Sequence, residues 1–303
     1  KRGYAEIDLG RESEFSELGE YARFFRWPGP IDQSVLAKMH SKKKNVYSIP
    51  RTILEADFVL SVPKLKTHAK SGVTLNLKNM IGLTNRKEWL PHHREGAPPS
   101  GDEAPCFPLR RKLKLILKCA GFSTIGRLPH GLKLLRAGAL SLHALEKTLG
   151  LGDKMYVLEG RWTGNDTIWR AIVDLNRILF YAYENGMHTT RQRAYFSIVD
   201  GVVGGEGEGP LMPKPKRAGV IACGEDPVAV DYICARIMGI DGKKIKAIAR
   251  AGARSAYPIG TCEINRIETV SNRPKARDVN LAFELPANWR GFIELEKTTA
   301  PKS

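Results

Sequence analysis

The stretch DFVLSVPKLKTH, residues 57–68, places basic side chains directly after an apolar run. Residues 57–62 are rich in β-branched and aromatic side chains, which predicts a strand. Lys64, Lys66 and His68 follow at alternate positions, so they share one face if the strand continues. Because ligands of α/β sheets bind beyond the ends of strands, we predict a binding site here.

The charge around this stretch indicates the nature of the ligand. Residues 61–94 contain ten Lys, Arg and His side chains but a single acid, Glu88. A ligand that offsets the repulsion between like charges is an anion, so we expect a carboxylate or a phosphate group. The alternative is a solvated basic surface whose lysines point outward, and the alternation along residues 64–68 argues against it.

The residue types suggest separate roles for the members of this site. Ammonium groups suit anion binding, and imidazoles suit proton transfer. The candidate catalytic residues are His68, His93 and Lys78. The candidate substrate-binding residues are Lys64, Lys66, Asn79, Arg94, Gly205, Gly207 and Gly209.

A glycine-rich stretch at residues 201–209 is predicted to face these cations. Its backbone amides could hold an anion, or it could let Asp200 and Glu208 approach a cation, so a divalent metal is one option for these two acids. Pro210 stands where the third glycine of a dinucleotide fingerprint belongs, and the Gly-Lys-Ser/Thr end of a P-loop is absent. A plain surface connection is the alternative.

Composition excludes several classes of protein. With 42% hydrophobic and 26% charged residues, the chain is typical of a globular protein and not of a disordered one. The net charge of +16 favours anionic partners, from metabolites to nucleic acid and lipid head groups. Five dispersed cysteines match neither a disulfide framework nor a metal-binding Cys-x-x-Cys motif, so we expect a cytoplasmic protein. No stretch reaches the roughly 18 apolar residues that a membrane span requires.

The pattern of apolar residues predicts strands that alternate with helices. This indicates an α/β fold with a mixed or mostly parallel sheet flanked by helices, in which two lobes are one option. Strands are predicted at residues 4–9, 47–53, 57–62, 155–159, 195–199 and 218–222. Helices are predicted at residues 71–82, 167–183 and 227–238, the last two capped by Asp166 and Asp226.

Residues 105–150 are predicted to form a basic helical insertion. Within it, residues 109–149 carry nine Lys and Arg side chains and one acid, which is half of the net charge. Such a segment can lie on an anionic membrane surface, here the inner face of the cell membrane, or bury its leucines on the rest of the protein. Stacking aromatics do not interleave its cations, so nucleic acid is the less expected partner.

Residues 54–68 and 72–82 resemble the prokaryotic family called domain of unknown function 362. The resemblance continues through residues 90–94, 100–103, 199–201, 207–210 and 226–231. It implies a single family domain over residues 1–303 that lacks its amino-terminal part. Some relatives carry ferredoxin-like modules with four-cysteine iron–sulfur motifs; this chain has no such motif, so the resemblance does not imply that cofactor.

Three functions are compatible with these patterns. The first is an enzyme that binds a small anionic substrate through the Lys and His side chains. The second is a non-catalytic redox accessory that works with an iron–sulfur partner. The third is a peripheral membrane protein of envelope polysaccharide synthesis, docked by residues 109–149. The reaction and the oligomeric state are not predicted by the sequence.

Overall fold

The computed structural model describes residues 3–28, 32–96, 98–103, 158–261, 263–272 and 279–296. Apart from Leu158, these residues belong to one compact unit formed by Lys1–Glu103 and Glu159–Ser303. The insertion predicted at 105–150 and most of the strand predicted at 155–159 lie outside the described residues. The described end of that strand, Leu158–Gly160, is a turn of 3-10 helix.

The described strands occur in two groups along the chain. Those of the first group are β1 (Tyr4–Asp8), β2 (Phe25–Arg26), β3 (Val46–Pro50), β4 (Phe58–Ser61), β5 (Lys64–His68), β6 (Gly72–Thr74) and β7 (His93–Arg94). Those of the second are β8 (Ala182–Tyr183), β9 (Gly186–Met187), β10 (Ala194–Glu206) and β11 (Lys214–Gly224).

The helices are mostly short. They are α1 (Ser34–Met39), α2 (Arg51–Leu54), α3 (Asn76–Asn79), α4 (Ile168–Tyr181), α5 (Pro227–Ile237) and α6 (Lys246–Ala251). Segments of 3-10 helix lie at Gly10–Glu12, Glu14–Phe24, Met80–Leu83, Lys87–Trp89, Gly242–Lys244, Ile264–Arg266 and Ala287–Trp289. None of the helices in the described ranges is long and apolar enough to cross a membrane.

The main sheet is built around β10. Strands β4 and β5 both pair with it in parallel, one after the other along the same edge, with Val59 opposite Tyr195 and Lys64 opposite Asp200. Strand β11 pairs with its other edge in the antiparallel direction, and β6 pairs antiparallel with β5. The sheet is therefore mixed, and the predicted α/β class is confirmed. Smaller antiparallel pairs join β1 to β3, β2 to β7 and β8 to β9.

The first part of the glycine-rich stretch is a strand in the structure and not the predicted loop. Strand β10 does not end at Asp200 but continues through Gly201, Gly204 and Gly205 to Glu206. All three glycines pair with β11, and Gly205 also pairs with β5, since it lies opposite both Pro215 and Lys66. Pairing of β10 with β5 and β11 thus outweighs the usual tendency of glycine to interrupt a strand.

Helices α4 and α5 confirm two predicted helices and one predicted cap. Asp226 accepts hydrogen bonds from the amides of Val228 and Ala229, and a proline occupies the first turn of α5. The cap predicted at Asp166 is wrong, because Asn165 Oδ1 accepts from the Thr167 and Ile168 amides instead. Every residue of α4 is buried, so this helix forms the centre of the core.

Two further predicted elements are split in the structure. The strand predicted at residues 47–53 is β3 followed by one turn of helix, α2. The helix predicted at residues 71–82 begins as strand β6, and only α3 and the following Met80–Leu83 are helical. This change positions the site, because β6 pairs with β5 and thereby brings the start of α3 beside Lys66.

Candidate functional site

Strand β5 presents Lys64, Lys66 and His68 at alternate positions, as the sequence predicts. Their environments differ along the strand: Lys64 is exposed, Lys66 is half-buried and His68 is only 6% exposed. The enclosed end of this face is therefore the His68 end.

Lys64 has a different partner from the one predicted. It forms an ion pair with Asp200, which lies opposite it on β10, and both side chains are 43% exposed. Asp200 also accepts from the Val202 amide at 3.1 Å. An anion that binds Lys64 would therefore have to displace the Asp200 carboxylate.

The second predicted metal ligand lies elsewhere. Glu208 is exposed and its Oε1 accepts from the Ala287 amide at 2.8 Å. Each of the two predicted ligands thus has its own partner within the protein. Within the described ranges, no three His, Cys, Asp or Glu side chains are grouped so that they could hold a metal ion.

His68 is held in one neutral form. Its Nδ1 accepts hydrogen bonds from the amides of Lys70 at 3.0 Å and Ser71 at 3.2 Å. A ring nitrogen that accepts carries no proton, so the proton of the neutral ring is on Nε2. Burial, and then the charges of Lys78 and Lys70, hold the pKa of His68 well below its usual value. His68 is therefore a neutral donor at physiological pH.

His92 is neutral in the opposite form. Its Nδ1 lies 2.8 Å from the Leu90 carbonyl oxygen, so Nδ1 carries the proton and donates it, which leaves Nε2 free to accept. Burial, and then the charge of Lys70, lower the pKa of His92 to about 3. The site thus contains one imidazole that donates and one that accepts.

Lys70 is a buried lysine with a weak ionic partner. It is 8% exposed, and its Nζ lies 3.9 Å from Glu159 Oε2. The same carboxylate oxygen lies 3.7 Å from Arg161 Nη2. Glu159 has φ of 62°, a left-handed conformation that non-glycine residues rarely adopt and that is found disproportionately at functional sites.

Lys78 completes the group from helix α3. It is half-buried, and burial followed by the charges of Lys66 and Lys70 lowers its pKa from 10.5 to about 8. Neither Lys66 nor Lys78 has a hydrogen-bond or ion-pair partner in the described part of the chain. We call Lys66, His68, Lys70, Lys78 and His92 the cation cluster. Within the described residues, it combines three amines and two neutral imidazoles with the carboxylate of Glu159.

Helix α3 is held in place by a buried acid on α5. The carboxylate of Asp231 accepts from the Asn76 amide at 2.8 Å, Asn76 Nδ2 at 3.0 Å and the Leu77 amide at 2.9 Å. Burial raises the pKa of Asp231 to about 7. The sequence alone gives no sign of this role, because the partners of Asp231 lie far away along the chain. Asp231 fixes the helix that carries Lys78.

The predicted substrate-binding glycines have structural contacts. The Gly207 amide donates to the Glu284 carbonyl oxygen at 2.7 Å, and the Gly209 amide donates to that of Gly207 at 2.8 Å. Thr67 Oγ1 donates to the Gly207 carbonyl at 2.8 Å, and the Ala69 amide to that of Gly209 at 2.9 Å. The amides of Gly207 and Gly209 are thus used within the protein, which does not support their prediction as anion donors.

The remaining predicted residues lie outside the cation cluster. Asn79 is exposed and its Nδ2 donates to Ser61 Oγ at 3.2 Å. Arg94 is buried, with Nη1 3.4 Å from Asp166 Oδ2 and Nε 3.1 Å from the Ser100 carbonyl oxygen. His93 is buried on β7 beside Gly160. Its neighbour His92 interacts electrostatically with the lysines of the cluster, so the structure favours His92 for the role predicted for His93.

These observations define a mixed α/β protein with a partly enclosed cationic site at a strand end. Residues 16–236 match the family model described as Domain of unknown function (DUF362), and the chain belongs to this family. The resemblance expected from residues 54–82 is thereby confirmed. No curated protein and no solved structure matches the chain.

Proposed function

We propose that the cation cluster binds a small carboxylate or phosphate compound and that the protein is an enzyme acting on this anion. The observation that carries the proposal is the excess of positive charge in a partly enclosed place. Lys66 and Lys70 lie close enough to Lys78 to lower its pKa. In the described part of the chain, Glu159 is the one acid that forms an ion pair with any of these three lysines.

The amines of the cation cluster repel one another. Two like charges about 4 Å apart repel by about 4 kcal/mol at the effective dielectric constant near a protein surface. A bound anion attracts the ammonium groups and so offsets their mutual repulsion. Hydrogen bonds to charged partners contribute about 1.5–3 kcal/mol each. Lys66 and Lys78, which have no described partner, are the groups best placed to contribute.

The two imidazoles support a catalytic use of the site. General acid–base catalysis needs one group that gives a proton and another that takes it. His68 supplies an Nε2–H and His92 a bare Nε2, each fixed by a backbone hydrogen bond. An anion held by the amines would therefore lie beside groups of both kinds.

A thermal-shift screen tests the binding of an anion. Phosphate, sulfate or malonate at about 100 times its Kd should raise the Tm by about 5 °C or more, because a ligand of the folded state stabilises by mass action. Lys66→Met should weaken binding by about 10- to 100-fold, the equivalent of one charge-assisted contact. Lys244→Met removes the same charge from an exposed position and should leave binding unchanged.

The screen has a clear negative outcome. If no anion raises the Tm of the wild-type protein, the cation cluster is not an anion site and the proposal is wrong. Equal weakening by Lys66→Met and Lys244→Met would attribute binding to the general positive charge of the protein. Lys64→Met is a useful third variant, since the ion pair with Asp200 predicts little effect.

The pH dependence of sulfate binding should report on Lys78. Its pKa is about 8, and only its protonated form attracts an anion. The affinity should decrease above pH 8, by up to about tenfold per pH unit. His68 and His92 are neutral throughout this range and add no slope. Isothermal titration calorimetry between pH 6 and 9.5 measures this, and sulfate keeps its charge over the range.

Lys78→Met provides the control for this measurement. It should bind sulfate more weakly than the wild-type protein and show no decrease between pH 7 and 9. A wild-type affinity that does not change above pH 8 would contradict the assignment of the titrating group to the site.

A further inference from the structure

We propose that Lys78 is a nucleophile that forms an imine with the carbonyl carbon of the bound anion, which makes the substrate a 2-oxo acid or a related anionic carbonyl compound. This inference rests on the proposed anion site and adds the reaction that the site performs.

The position of Lys78 supports a nucleophilic role. Strand β6 pairs with β5 so that Thr74 lies opposite Lys66, and α3 begins two residues later, which brings Lys78 next to the anion-binding face. Lys78 is half-buried, so its amine is partly desolvated and still reachable. No carboxylate pairs with it in the described residues, so nothing there holds it in the charged form.

The neighbours of Lys78 favour the neutral amine that the reaction needs. A lysine becomes a good nucleophile when desolvation or an adjacent cation disfavours its protonated form. Lys66 and Lys70 supply those cations, and the pKa of about 8 for Lys78 leaves a sizeable neutral fraction at neutral pH. The same two ammonium groups would hold the carboxylate of a 2-oxo acid. Lys70 has a carboxylate partner in Glu159, which makes it the less suitable nucleophile.

The chemical step balances with the groups present. The lone pair on Lys78 Nζ forms the bond to the carbonyl carbon, and the π pair moves to the oxygen, which accepts a hydrogen bond from His68 Nε2–H. His92 Nε2 takes a proton from the nitrogen and delivers it to that oxygen. The nitrogen lone pair then forms the C=N bond as the C–O bond breaks, and His92 Nε2 carries the second amine proton from the nitrogen to the departing oxygen, which leaves as water. No oxidant or reductant takes part.

Reductive trapping tests the inference. The full chain is incubated with pyruvate and sodium cyanoborohydride at pH 8, and the product is analysed by intact mass and peptide mapping. We expect one adduct, on Lys78, formed at least about tenfold faster than on other lysines because their amines are almost fully protonated at this pH. Sulfate should slow this labelling, and Lys244→Met should be labelled like the wild-type protein.

Lys78→Arg separates the imine from anion binding. It keeps a positive charge and should still bind sulfate, but it cannot form the imine, so the specific adduct should disappear. Circular dichroism shows whether the variant is folded, and Lys78→Met is the second variant if it is not. If the wild-type protein binds sulfate but pyruvate labels surface lysines equally, or Lys78→Arg is labelled as before, the imine is overturned and the anion site stands. If sulfate binding is absent as well, both proposals fall.

Discussion

Replacing Asp231 with Ala should lower the free energy of unfolding by about 3–5 kcal/mol and abolish anion binding by the cation cluster. The carboxylate is 1% exposed and accepts three hydrogen bonds from Asn76 and Leu77 at the start of α3. Alanine leaves these donors buried without a partner and opens a cavity where the carboxylate was. Because α3 carries Lys78, a loosened α3 changes the site as well as the stability.

Urea denaturation and sulfate titration measure the two effects. Asp231→Asn should fall between the wild-type protein and the Ala variant, because the amide oxygen can still accept from Asn76 while the amide nitrogen faces the Leu77 N–H. Asp241→Ala is the matched control. Asp241 accepts one amide hydrogen bond, from Lys243 at 3.0 Å, at the start of a surface turn. Its loss should cost about 1 kcal/mol, as for other helix caps, and leave sulfate binding intact.

Two results would contradict the role of Asp231 in holding α3. If Asp231→Ala and Asp241→Ala destabilise the protein equally, the buried hydrogen bonds to α3 contribute no more than a surface cap. Loss of sulfate binding without a change in stability would indicate that Asp231 acts on the ligand and not through α3.

The parts of the fold that the sequence predicts correctly depend on residue types within a few positions of each other. The strand predicted at residues 57–62 is β4, Phe58–Ser61, because β-branched and aromatic side chains suit a pleated surface. Helix α5 begins where Asp226 and Pro227 predict, since a capping acid and a proline in the first turn act within a few residues. The extension of β10 through its glycines has no such signal, because it depends on pairing with distant strands.

The same distinction applies to the site. The alternation of Lys66 and His68 is visible in the sequence and places both on the enclosed face of β5. The ion pair that occupies Lys64 joins residues on different strands, and only the register of β5 and β10 reveals it. The choice between His92 and His93 depends on which of the two rings interacts with Lys70 and Lys78. A pair of adjacent histidines in a sequence does not show which ring that is.

Replacing Gly209 with Ala should destabilise the protein by about 2–4 kcal/mol, because the new methyl group overlaps backbone atoms that cannot move aside like a side chain. A Cβ at this position would lie 2.1 Å from the Thr67 carbonyl oxygen and 2.9 Å from its carbon. The close approach of Gly209 to Thr67 also allows the hydrogen bond from the Ala69 amide to the Gly209 carbonyl. Separating the two segments would release the end of β5 that carries His68.

The matched control is Gly82→Ala. A Cβ at Gly82 meets no atom within 4 Å. Alanine there should be neutral or stabilise by up to about 1 kcal/mol, since it reduces the freedom of the unfolded chain. Urea denaturation gives the stabilities, and sulfate titration at equal folded fraction shows whether Gly209→Ala weakens anion binding. If Gly209→Ala is as stable as Gly82→Ala and binds sulfate normally, the close contact with Thr67 does not shape the site. Weaker sulfate binding by Gly209→Ala alone would show that the glycine stretch acts by letting the chain approach β5, and not by donating its amides to the anion.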